Sequence, residues 1–128
     1  MIVAGIGCRK DASEAEVLAA IRGAAVQCQI SAEQIDMLAV PEVKSQEPGV
    51  HAAARALALH VMIVGGDDLK RAGVRTLSRS EKSIEVTGAP SASEAAALAA
   101  IGERGRLLGP RIAVGPVTCA LACDGVLS

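Results

Sequence analysis

The strongest restriction on the fold is an alternation, in the first half of the chain, of short apolar runs with stretches of helical spacing. Residues 2–6, 37–40 and 61–64 are apolar throughout, and glycine, proline or charged residues follow each of them. Runs of this length without two-residue alternation suit strands buried on both faces. Ser13 and Glu16 have the spacing of a capping box, in which each side chain satisfies an amide left free at a helix start. Val17, Leu18, Ile21, Ala25 and Cys28 then share one face. Ser31 and Gln34 repeat the signal for a shorter helical turn before Asp36. Pro48 suits a first helical turn, and Val50, Ala54, Leu57 and Ala58 recur at helical spacing, which predicts a helix over 48–59. Strand, helix, strand, helix, strand in this order favours a parallel sheet with helices on its faces, because right-handed crossovers need that much chain.

Beyond Gly65-Gly66 the pattern weakens. Lys70, Arg71, Arg75, Arg79 and Lys82 lie in a polar stretch with room for a short helix ending at Gly88. The plain reading of this basic stretch is a solvated face, and the other is a flap that closes over an anion. Ser91 with Glu94, or Ser93 alone, can cap a helix that residues 95–100 favour by intrinsic propensity and that ends near Gly102. Residues 107–108, 111–114 and 117–122, around Gly115-Pro116, predict two final strands arranged as a hairpin.

Composition enters where the core is considered. The chain has 128 residues, the size of one domain spanning 1–128. Hydrophobic residues make up 51% of it, yet Phe, Tyr and Trp are absent. Its core must therefore be filled by Ala, Val, Leu, Ile and Met, with close backbone packing. The missing aromatic platforms argue against single-stranded nucleic acid, and a formal charge of -1 gives no reason to expect nucleic acid or an anionic membrane. Met1 runs into Ile2-Val3-Ala4 with no basic leader and no long apolar stretch, so the expectation is a cytoplasmic protein without a membrane span. Cys8, Cys28, Cys119 and Cys123 are then expected as reduced thiols.

The segment Gly5-Ile6-Gly7-Cys8-Arg9-Lys10 reads as a turn between the first strand and the first helix. Such a turn lets backbone amides approach a ligand, the helix start adds partial positive charge, and Arg9 and Lys10 sharpen the preference for anions. No third glycine stands at Lys10 and no P-loop lysine motif appears, so a nucleotide is not indicated. A tight connection with solvated Arg9 and Lys10 remains the plain alternative. Cys8 sits where a helix start and cations can lower a thiol pKa, but no histidine lies nearby in sequence, which favours a small residue in a crowded turn. Glu47 reads as an acid or base, or as the cap of the helix that Pro48 begins. His51 shares a helical face with Arg55 and reads as a surface histidine, or else as a base or a metal ligand. His60 has no ligand-like neighbour. Cys119 and Cys123 point to one side of a strand without any zinc spacing, so neither a metal nor a cofactor is expected.

The order Gly5-Ile6-Gly7-Cys8-Arg9, then Lys44 with Glu47-Pro48-Gly49, then Ser80, then Thr87-Gly88 and Ser91 through Glu94-Ala95-Ala96, resembles the family of CobE and the C-terminal domain of CbiG. The resemblance runs from the first strand to Val117-Thr118. It implies a role in cobalamin (vitamin B12) biosynthesis and a three-layer α/β/α sandwich with a mainly parallel, mixed sheet of about five strands. In two-domain CbiG proteins the domain accompanies an N-terminal region, and the whole opens a lactone on a cobalt-precorrin and releases acetaldehyde. The expectation here is the stand-alone CobE form. Its implied partner is a precorrin-type tetrapyrrole, whose rim carries acetate and propionate carboxylates. Arg9 and Lys10 would pair with that rim, amides around Gly7 and Cys8 would bind another carboxylate, and Lys44 would lie at the same sheet edge. Three readings follow: a protein that binds or hands on the intermediate, a precorrin lactone hydrolase with Glu47 or His51 as base, and a scaffold contacting other corrin-pathway enzymes.

Overall fold

A computed structural model describes residues 1–125. Its first half follows the expected alternation: β1 (Ile2–Cys8), α1 (Glu14–Gln27), β2 (Met37–Pro41), α2 (Pro48–Leu57) and β3 (Val61–Val64). The second half holds α3 (Gly66–Ala72), α4 (Glu81–Thr87), α5 (Ala92–Ile101), β4 (Arg106–Leu107), β5 (Ile112–Val114) and β6 (Val117–Cys123). The three strands after α5 replace the two expected, so the sheet has six strands among the described residues. Among the described residues no helix is long and apolar enough to cross a membrane.

The sheet runs β3-β2-β1-β6-β4, with β5 also paired to β6. β1, β2 and β3 are mutually parallel, whereas β6 returns antiparallel to β1, with Gly5 opposite Ala120 and Cys8 opposite Val117. β5 and β6 form the expected hairpin about Gly115-Pro116. Helices cover both faces and give a three-layer α/β/α sandwich. On one face α1 and α2 close over Ile2, Ala4, Ile6, Leu38, Val40, Cys119 and Leu121. On the other, α3 and α5 close over Val3, Ala39 and Ala122. Burial on both faces is the reason β1 and β2 read as unbroken apolar runs; the run at 61–64 is not a buried strand as expected, because β3 lies at the sheet edge and leaves Met62 and Ile63 exposed.

Local chemistry sets the helix ends. Both halves of the Ser13 box form: the Glu16 amide donates to Ser13 Oγ at 3.1 Å and the Ser13 amide to Glu16 Oε1 at 2.9 Å. Ser31 and Gln34 box the 3₁₀ turn at 32–34 in the same way. The helix at Pro48 ends at Leu57 rather than residue 59, because Ala58 turns into the left-handed region with φ 56°. The expected helix ending at Gly88 is α4, and Gly88 closes it with φ 80°.

One expectation is corrected. Gly5 and Gly7 are not in a turn. They lie inside β1, paired to β6, and the connection to α1 begins only at Arg9. The missing side chain of Gly5 makes room for α5, and that of Gly7 makes room for Thr118 on β6. A Cβ on Gly5 would collide with the Ser93 carbonyl and lie 2.7 Å from the Ala97 nitrogen, and one on Gly7 would lie 2.7 Å from Thr118 Oγ1. The helix facing them is built from Ala95, Ala96 and Ala97, all fully buried. An aromatic-free core is thus closed by drawing backbones together.

Candidate functional site

The carboxyl ends of β1 and β2, the β5–β6 hairpin, α4 and the first turn of α5 meet around an open cleft of about 590 Å³. Ligands gather at this end of parallel strands, where the chain leaves the sheet through loops. β1 delivers Gly7 and Cys8, and the loop beyond it delivers Arg9 and Lys10. The Arg9 amide donates to the Pro116 carbonyl at 3.0 Å, which pins this loop to the hairpin. Lys44 follows β2, Lys82 stands on α4, and Arg111 precedes β5. Among the described residues five cations therefore line the cleft, and no Asp or Glu does. Among the described residues none of the five forms an ion pair. Ser80, Ser83, Thr87 and Thr118 add hydroxyls, and Ala92 brings the positive end of α5 to the wall.

Most of the expected site residues converge here. Gly7, Cys8, Arg9, Lys10 and Lys44 all line the cleft, while Gly5 lies beneath α5 and outside it. Cys8 is half-buried. Burial pushes its thiol up from the ordinary cysteine value, Glu47 adds to this, and Lys44 opposes it. It is held as a thiol at neutral pH, the opposite of an activated nucleophile.

Glu47 and His51 fall outside the lining. Glu47 occupies the N-cap position of α2, but its side chain makes no cap bond. Glu47 Oε1 accepts from the Asp11 amide at 2.7 Å and tethers the loop after β1, where Asp11 adopts φ 63°. His51 is half-buried, with Nε2 2.6 Å from the Ser45 carbonyl oxygen.

The basic stretch from Lys70 to Lys82 divides by task. Arg71 pairs with Asp68 and Arg79 with Glu81. Arg75 donates to the carbonyls of Leu98, Gly102, Glu103 and Gly105 and so closes the C-terminus of α5. Only Lys82 reaches the cleft. Lys82 and Arg111 are the two cations that sequence reasoning missed as site residues. The available signal was Ser80 and Thr87, which carried the family resemblance and flank Lys82 on the same wall.

The family model described as cobalamin synthesis G C-terminus matches residues 2–122. The chain belongs to this family. The cobalamin synthesis G C-terminus fold recurs in the solved structure of CobE, a protein from the cobalamin (vitamin B12) biosynthetic pathway. That structure has a TM-score of 0.90 and 32% identity, covering 95% of this chain and 89% of that one. A structure of the cobalamin biosynthesis protein chiG from Agrobacterium tumefaciens has a TM-score of 0.78 and 40% identity, covering 98% of this chain and all of that one. Among characterised sequences, Protein CobE from Sinorhizobium is 26% identical over 126 residues, 98% of this chain and 82% of that protein. The relatives of this family domain are thus cobalamin biosynthesis proteins. Of the residues that carried the resemblance, Gly7, Cys8, Arg9, Lys44, Ser80 and Thr87 meet at the cleft, while Gly5 and Glu47 do not.

Proposed function

We propose that the chain binds a precorrin-type polycarboxylate tetrapyrrole by its rim, at the carboxyl-end cleft, and hands it on without chemical change. The observation that carries this reading is the lining of Arg9, Lys10, Lys44, Lys82 and Arg111 with no acid among them. Membership in a family of cobalamin biosynthesis proteins supplies the ligand class, since corrin precursors carry several carboxylate arms. Cations from five places in the chain match a ligand whose negative charges are spread around a ring. A cleft of about 590 Å³ is of the size that encloses a small ligand, so a tetrapyrrole inserts its rim and leaves its remainder outside. The hydrolase alternative needs a base directed at the ligand, and the side chains of Glu47 and His51 are taken up at the Asp11 amide and the Ser45 carbonyl.

Uroporphyrin, a porphyrin with acetate and propionate arms, is a practical probe. Titration followed by visible absorbance is expected to show saturable binding by the free acid and none by its methyl ester. Replacing Arg9 and Lys10 together by alanine removes charged contacts worth about 1.5 kcal/mol or more and weakens binding about tenfold. Equal binding of acid and ester, or an unchanged affinity in the double variant, rejects the reading.

A further inference from the structure

Beneath the cleft lies a charged group that rim binding does not use. Glu94, in the first turn of α5, is fully buried. Its Oε1 accepts from the amides of Leu77 at 2.7 Å and Ser78 at 2.8 Å. Its Oε2 accepts from the Ser78 hydroxyl at 2.7 Å and the Arg111 amide at 2.8 Å. Capping does not account for this carboxylate, because Ser91 Oγ already accepts from the Glu94 amide at 3.4 Å and the Glu94 side chain does not return to the cap. A buried carboxylate is costly unless its acceptors are filled, and here they are filled by two segments far apart in the chain.

Those two segments are parts of the cleft wall. Leu77 and Ser78 lead into Ser80 and α4, which carries Lys82, and Arg111 lines the cleft itself. No residue of α4 is buried, so apolar packing does little to hold this wall. It is held by polar bonds: Glu94 at its entrance, the Ser80 amide to the Pro90 carbonyl at 2.8 Å, and the Ser83 hydroxyl to the Ala89 carbonyl at 2.7 Å.

We propose that Glu94 is a positioning residue: its carboxylate ties the α4 wall and the loop at Arg111 to one point on α5, and so sets the spacing of cations that a polycarboxylate ligand meets. This inference rests on the rim-binding reading.

The test has two arms, with Glu94→Gln as the main variant, since it puts an NH₂ where an oxygen accepted. In the unliganded protein, hydrogen exchange at the amides of Leu77, Ser78 and Arg111 is expected to quicken about tenfold, while β1 and β6 keep their protection. In titrations, Glu94→Gln is expected to weaken uroporphyrin binding about tenfold, and the loss combined with Arg111→Ala to fall short of the product of the single losses, because both act through one arm. Ser78→Ala removes only the hydroxyl donor and gives a smaller loss in the same direction, which keeps the test open if Glu94→Gln does not fold. Unchanged exchange at the three amides, unchanged affinity in the variants, or strictly multiplicative losses overturns the positioning role alone. Failure of the wild-type protein to bind uroporphyrin overturns rim binding and this inference together.

Discussion

Cys119 shows how far burial governs single residues here. It is fully buried on β6, and desolvation pushes its thiol far above the ordinary cysteine value of 9.0. The thiol is neutral when protonated, so a raised folded pKa means that the unfolded chain releases its proton first. The stability this group contributes is therefore complete below the ordinary value and is lost progressively as pH rises from there toward the raised folded value. One differential proton corresponds to about 1.4 kcal/mol per pH unit. Urea unfolding over that range is expected to show a steeper loss of stability in wild type than in Cys119→Ala, and parallel curves would contradict the assignment. Cys8 follows the same logic on the cleft wall, where half-burial and Glu47 outweigh Lys44. Its place in the lining marks a contact and no nucleophile.

At the level of elements, the contact between β1 and α5 has the least slack. Gly5→Ala would drive a methyl group into the Ser93 carbonyl and to 2.7 Å from the Ala97 nitrogen, both backbone atoms that no rotamer change can clear. The variant is expected to lose about 3 kcal/mol in denaturant unfolding. A loss below about 0.5 kcal/mol would show that α5 can lift away from the sheet. Ser93, whose carbonyl faces Gly5, directly follows Ala92 on the cleft wall, so packing in the core and the position of the site are one problem.

Across the whole molecule, what could be read in advance depended on range along the chain. The alternation through β3, the capping boxes at Ser13 and Ser31, and the hairpin at Gly115-Pro116 are local patterns, and each is legible from a short window. The return of β6 beside β1 is not, since it pairs Ile2 with Cys123 across nearly the whole chain. Gly5 and Gly7 were misread as a turn for the same reason: their close partners, α5 at Gly5 and Thr118 on β6 at Gly7, lie far along the chain and leave no periodic mark near residue 5. The cleft was half legible. Arg9, Lys10 and Lys44 follow strand ends that the apolar runs locate, whereas Lys82 and Arg111 arrive through α4 and the loop before β5, which Glu94 joins from below. A net charge of -1 over the chain conceals this local excess of cations.

A core closed without a single Phe, Tyr or Trp also leaves the protein nearly silent optically. It has no indole or phenol to absorb near 280 nm or to fluoresce, so the near-ultraviolet and visible bands of a bound tetrapyrrole can be read without a protein background. One tryptophan placed at the rim of the cleft would be the sole emitter in the chain, and its quenching would report occupancy directly.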